Sequence, residues 1–133
     1  MPAFIANRLG YALYREALHL VEQGVADAET IDRSCRNALG LWATLCGPFR
    51  WIDISGGPAL YARAIEGVLP SLSNATELTA RMKELVKSDA RGITNGRGFY
   101  EYSEEEGHRW EELYLRHAWA VRKIQNDHFP IKP

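Results

Sequence analysis

Residues 2–24, PAFIANRLGYALYREALHLVEQG, constrain the fold most, because they read as a helix with more apolar surface than one core needs. At about 100° per residue, Ile5, Leu9, Leu13, Ala17, Leu20 and Val21 share one side. Asn7, Tyr11, Tyr14 and Leu18 gather roughly opposite, and Arg8, Arg15, His19 and Glu22 form a narrow polar stripe between them. A surface helix needs a single apolar stripe. This one is therefore expected to be buried on two sides, one against its own domain and one against a partner chain or a second domain. Glu16, between Ala12 and Leu20, reads as a carboxylate whose stem packs while its head reaches water.

Helical signals recur to the end of the chain. The first helix is expected over 4–23, stopping at Gly24. A second, capped by Asp27, runs over 28–39 and ends at Gly40. The apolar link LWATLCGPF leads to a short helix with Pro48 in its first turn, followed by helices over 59–69 and 75–87, the latter capped by Asn74. DARGITNGRGFYEYS is glycine-rich and irregular. Ser103 and Glu106 then fit the capping box of a long last helix reaching about residue 126, before the tail HFPIKP. No strand-like alternation of useful length and no repeat is visible, so the fold class is all-α. On the last helix Trp110, Leu113, Tyr114, His117, Val121 and Ile124 share a face, while Leu115 and Trp119 point elsewhere and suggest a further contact surface.

The 133 residues suit one domain, and 46% apolar with 25% charged residues describes an ordinary soluble globular chain. A net charge of −1 with both signs interspersed recommends neither nucleic acid nor an acidic membrane as partner. No apolar run approaches the ~20 residues that span a bilayer, and no basic region precedes an apolar stretch at the N-terminus, so the expected compartment is the cytoplasm. Cys35 and Cys46 match no metal or redox spacing and read as reduced thiols.

Chemistry is sparse. His117 on its apolar face reads as a core histidine. His108 and Glu112 lie one turn apart on what reads as a solvated face, with no third ligand and no expected metal site. The glycines of GITNGRGF follow no strand and open no helix, so they read as turn residues rather than a phosphate cradle or a dinucleotide fingerprint. Asn7 is different. Asparagine is a mediocre helix former, and an amide beside Tyr11 and Tyr14 either holds a substrate oxygen or caps the helix. The residues by themselves leave both open.

The order and spacing of several short motifs resemble the C-terminal helical domain of the L-3-hydroxyacyl-CoA dehydrogenase family. The resemblance rests on Pro2, Phe4, Ile5, Asn7, Arg8, Glu16, Ala17, Gly24, Val25, Ile31 and Asp32, on Gly47, Pro48, Phe49 and Asp53, and on the closing GRGFYEY from Gly96 to Tyr102. It covers about residues 2–102, and residues 103–133 read as a helical extension of the same domain. What it implies is a dimer-forming fold of the 6-phosphogluconate dehydrogenase C-terminal-like type. The family pairs that fold with a Rossmann domain, which binds NAD and carries a His–Glu pair. By the motif match, Asn7 would be the family's active-site asparagine, orienting the reacting oxygen while the missing histidine takes its proton, with Arg8 and Tyr11 beside it against substrate.

The resemblance has departures. Ala3 replaces the usual glycine, and no Gly-x-Gly-x-x-Gly and no general base near Asn7 is present, so this chain alone is expected to be inactive. The Rossmann partner is then expected either in cis or as a separate subunit. The commonest family substrate is a 3-hydroxyacyl-CoA, oxidised reversibly to the 3-ketoacyl-CoA in fatty acid metabolism. The longer link between Gly40 and Gly47 looks more like the gulonate dehydrogenase (lambda-crystallin) and carnitine dehydrogenase branches, whose substrates are small hydroxy acids. Those branches tend to carry an arginine where this chain has Trp42. A helical interaction module that kept the fold and lost the chemistry is the rival reading.

Overall fold

The computed structural model describes residues 2–130; Met1 and the last three residues of the tail lie outside them. Helices α1 (Pro2–Glu22), α2 (Ala28–Ser34), α3 (Gly40–Ala43), α4 (Gly47–Ile54), α5 (Pro58–Val68), α6 (Ala80–Lys87) and α7 (Glu104–His128) follow one another. No strand forms among the described residues, and the fold is all-α as expected. The chain divides into two compact units, Met1–Met82 and Lys83–Pro133.

In the first unit, local chemistry sets most helix starts. Asp27 Oδ1 accepts the Thr30 N–H at 2.8 Å, which caps α2 and holds the Asp27 carboxyl below the usual range. Pro48 stands in the first turn of α4, as expected. Gly40, however, does not end a helix. α2 widens into a π turn over Cys35–Leu39 and continues as α3, with the Gly40 N–H donating to the carbonyl of Cys35 five residues back. A Cβ on residue 40 would lie 3.2 Å from that carbonyl oxygen, so the glycine serves the close approach of the wide turn. The segment expected as a link is thus partly helical.

The helix expected from residue 75 begins only at Ala80, with Thr79 rather than Asn74 as its cap: Thr79 Oγ1 accepts the Met82 N–H at 3.3 Å. The cause lies on α1. Glu16 Oε2 accepts the Ser73 N–H at 2.8 Å, and Glu22 Oε1 accepts the Ala80 N–H at 3.1 Å. These two carboxylates strap the intervening chain, which runs outside any helix. Glu16 is therefore an anchor rather than a solvated head, and Ser73, at 8% exposure, is the one polar residue buried among the described residues. Glu16→Ala leaves the Ser73 N–H without its acceptor and is expected to cost about 2 kcal/mol in urea unfolding followed by circular dichroism. Glu22→Ala, whose partner is exposed, is expected to cost well under half of that.

The second unit is built around α7. The Ser103 hydroxyl accepts the Glu106 N–H at 3.1 Å and the Glu106 carboxylate accepts the Ser103 N–H at 2.8 Å, completing the expected capping box. Gly107, buried at the start of α7, lets the helix meet Ile93; a Cβ there would fall 3.3 Å from the Ile93 Cβ.

Neither unit closes a core. Two separately closed units of these lengths expose about 8,500 Å² together, whereas the chain exposes 11263 Å². No hydrophobic side chain among the described residues is buried. His117, expected in a core, is exposed as well.

Candidate active site

α1 places the three residues singled out from the sequence. It begins at Pro2, so Asn7 lies in its second turn and caps nothing, which removes one of the two roles left open for it. Tyr11 follows one turn later on the same side. Its ring meets that of Tyr14 edge to face, with centroids 5.6 Å apart and planes at 88°. Arg8 lies over the ring of Phe4, its guanidinium 5.8 Å from the ring centroid, in a cation–π contact one turn back along α1.

α1 changes character along its length. From residue 16 to residue 21 every side chain is half-buried. From Phe4 to Arg15 all but Gly10 are exposed, on both apolar sides, including Tyr11 at 69% and Leu9 at 60%. The face expected to meet its own domain does so only in the second half of the helix. The first half presents Asn7 and Tyr11 on one flank and Ile5, Leu9 and Leu13 on the other, with Arg8 on the stripe between them, and neither flank is covered.

The other residues with candidate chemistry lie apart from α1 in sequence. His108 pairs with Glu111 at 3.5 Å and Glu104 at 3.9 Å on an exposed face. Among the described residues no group of three or more His, Cys, Asp or Glu is placed to hold a metal ion. Cys35 and Cys46 are both free and half-exposed. No helix of the described residues is long and apolar enough to cross a membrane.

Trp42 stacks on Trp51, with ring centroids 5.8 Å apart and planes at 8°. Beyond it, Ser55 Oγ and Tyr61 Oη lie 2.7 Å apart. Sequence reasoning missed Trp51 and Ser73. Trp51 gave no signal because the π turn sets its register with Trp42, and Ser73 gave none because its partner is 57 residues away.

Among the described residues the glycine segment offers no cradle for a dinucleotide phosphate. The glycine segment spends its N–H groups on itself: Gly92 donates to Arg97 O at 2.7 Å, Gly98 to Tyr100 O at 3.0 Å, and Tyr102 to Gly96 O at 2.9 Å. Arg91 N–H is taken by Asn95 Oδ1 at 3.0 Å. A pyrophosphate cradle needs such groups free at a helix N-terminus after a strand, and the described residues contain no strand. These are turn glycines.

Residues 4–102 match the model of the 3-hydroxyacyl-CoA dehydrogenase C-terminal domain. The chain belongs to the 3-hydroxyacyl-CoA dehydrogenase family. Within that family it is similar to 5-formyl-3-hydroxy-2-methylpyridine 4-carboxylate 5-dehydrogenase of Mesorhizobium japonicum, 32% identical over 93% of this chain and 40% of the relative. It is also similar to L-carnitine dehydrogenase of Oceanobacillus iheyensis, 37% identical over 76% of this chain and 35% of the relative. The L-carnitine dehydrogenase of Pseudomonas aeruginosa is 33% identical over 96% of this chain and 40% of its own length. The crystal structure of the pyridine 4-carboxylic acid 5-dehydrogenase, described as an NAD⁺-dependent dismutase, superposes with a TM-score of 0.86 at 31% identity. That superposition covers 91% of this chain and 39% of that one. The chain thus spans about two fifths or less of the length of these 3-hydroxyacyl-CoA dehydrogenase relatives. The family match takes in Asn7, Arg8 and Tyr11 and stops short of α7.

Proposed function

We propose that this chain is the substrate-side and subunit-contact domain of an NAD-dependent dehydrogenase that reversibly oxidises the secondary alcohol of a small hydroxy acid. Residues 1–102 would form the family domain and 103–133 its extension, in keeping with a family match that ends at residue 102. The observation that carries the reading is the first half of α1, where the Asn7 amide stands on an uncovered flank of a family-matched helix. An amide donor there can hydrogen-bond the alcohol oxygen and hold it as its proton leaves, and Arg8 and Tyr11 would bound the substrate beside it. NAD would be held by a Rossmann domain, in cis or as a separate subunit, and the chain by itself would be inactive. The opposite flank, with Ile5, Leu9 and Leu13, would meet a second copy in a homodimer.

The small-acid substrate draws on the relatives, which act on L-carnitine and on a pyridine carboxylate. The acyl-CoA substrate expected first from the family resemblance is set behind it. The experiment joins the chain to a family NAD-binding domain, as a fusion and as a separate subunit, and assays L-carnitine, the pyridine carboxylate and a short 3-hydroxyacyl-CoA with NAD⁺. Turnover of a small acid supports the proposal, and a preference for the CoA ester restores the acyl-CoA reading. Assembly without turnover of any of them favours the non-catalytic module.

A further inference from the structure

We infer that Asn95 is a site of non-enzymatic deamidation, held in check by the turn it closes, and that its conversion keeps that turn open. The chain has five asparagines, and Asn95 alone is followed by glycine. That neighbour matters chemically. The backbone nitrogen of the next residue can attack the side-chain carbonyl carbon of an asparagine, and a side chain on that residue obstructs the approach. Gly96 has none. Its nitrogen gives up a proton to solvent base and bonds to Asn95 Cγ, the Cγ–Nδ2 bond breaks, and ammonia leaves. Water then opens the cyclic imide at either carbonyl, which leaves aspartate or isoaspartate at position 95.

The folded turn opposes the first step. Asn95 Nδ2 donates to the carbonyl of Asp89 at 2.7 Å, and Asn95 Oδ1 accepts the Arg91 N–H at 3.0 Å. Both ends of the amide are thus tied to the chain just beyond α6, and it cannot swing onto the Gly96 nitrogen while both bonds hold. Around it the Gly92 N–H donates to the Arg97 carbonyl at 2.7 Å and the Tyr102 N–H to the Gly96 carbonyl at 2.9 Å. Reaction is therefore confined to molecules in which the turn has opened, as for any slow chemistry gated by fast local opening. Either product removes the lock. Aspartate has no N–H for the Asp89 carbonyl and sets a negative charge beside it. Isoaspartate also adds a main-chain carbon before Gly96, out of step with the Gly92–Arg97 pair. Ile93, in the same turn, meets Gly107 at the start of α7, so the loss reaches the helix on which this unit is built. The inference stands apart from the dehydrogenase reading.

The test is peptide mapping by mass spectrometry of the whole chain, incubated at mildly alkaline pH with and without concentrated urea. In urea Asn95 is expected to convert first, ahead of Asn7, Asn37, Asn74 and Asn126. Without urea its conversion is expected to be slower by roughly tenfold or more, since opening breaks two hydrogen bonds. Equal rates in the two solvents overturn the lock, and another asparagine converting first in urea overturns the chemistry. Two variants separate these parts. Gly92→Ala strains the turn at a φ of +62° and leaves the Asn95–Gly96 bond as it is, so conversion without urea is expected to rise several-fold with helix content intact. Gly96→Ala puts a side chain on the attacking residue and is expected to slow conversion in urea by roughly tenfold. Failure of either change also overturns the proposal. Asn95→Asp is expected to unfold at lower urea than the parent, and an unchanged midpoint would show that conversion leaves the turn closed.

Discussion

Alanine at Asn7 is expected to lower kcat of the dehydrogenase reconstituted with an NAD-binding domain by about 100-fold, with little change in KM. The magnitude is that of losing one preorganised donor to an oxygen on which charge develops. Such a bond is made mainly in the transition state, so the loss falls on turnover rather than on binding. The same substitution should not harm folding. Asn7 lies in the second turn of α1 on an exposed surface, where alanine is the better helix former by several tenths of a kcal/mol. Activity and stability are thus expected to move in opposite directions, which separates this role from a structural one. Asn7→Asp keeps the shape and loses the donors, and is expected to be no better than alanine. A kcat within threefold of the parent for Asn7→Ala would remove the residue from the reaction.

The second large effect concerns Gly96. Its φ is +78°, and a Cβ there would lie 2.5 Å from the carbonyl oxygen of Tyr102, the residue whose own N–H donates to the Gly96 carbonyl. Backbone cannot yield as a side chain does. Gly96→Ala is therefore expected to destabilise by about 3 kcal/mol, part from the left-handed conformation and part from the clash. Gly92→Ala provides the measure of the first part alone. Its φ is +62° and nothing lies within 4 Å of the added carbon, so its expected cost is about 1 kcal/mol. Urea unfolding of the two variants separates strain from collision. Equal costs would mean that the turn reshapes around residue 96.

Much of the fold was legible where a helix start depends on residues within one turn. Asp27 with Thr30, Pro48 in α4 and Ser103 with Glu106 are signals of that kind, and each stands as read. Reading failed where a distant group took over. Asn74 has the chemistry of a cap, but Glu16 and Glu22 claim the N–H groups of Ser73 and Ala80, and the helix starts after the strap rather than before it. Gly40 failed for a different reason. Glycine marks a helix end when it turns left-handed, yet here φ is −62° and the missing Cβ serves a carbonyl inside a continuing helix. The candidate site was visible in the sequence only through the order of the family motifs. Asn7 has no chemical partner on α1, so composition and periodicity could flag it as odd without assigning it work.

The π turn between α2 and α3 has a consequence for how this segment tolerates change. One residue more than an α-helical turn holds rotates everything beyond it by about 100° around the axis. Trp42 follows directly, so the turn decides which side of α3 its indole leaves from and hence that it meets Trp51. Point substitutions over 35–39 leave that angular setting alone, whereas removal of a single residue would straighten the helix and swing the indole away from its mate. Residues 28–43 thus behave as one rod cut and rejoined out of phase, and their length is under tighter constraint than their composition.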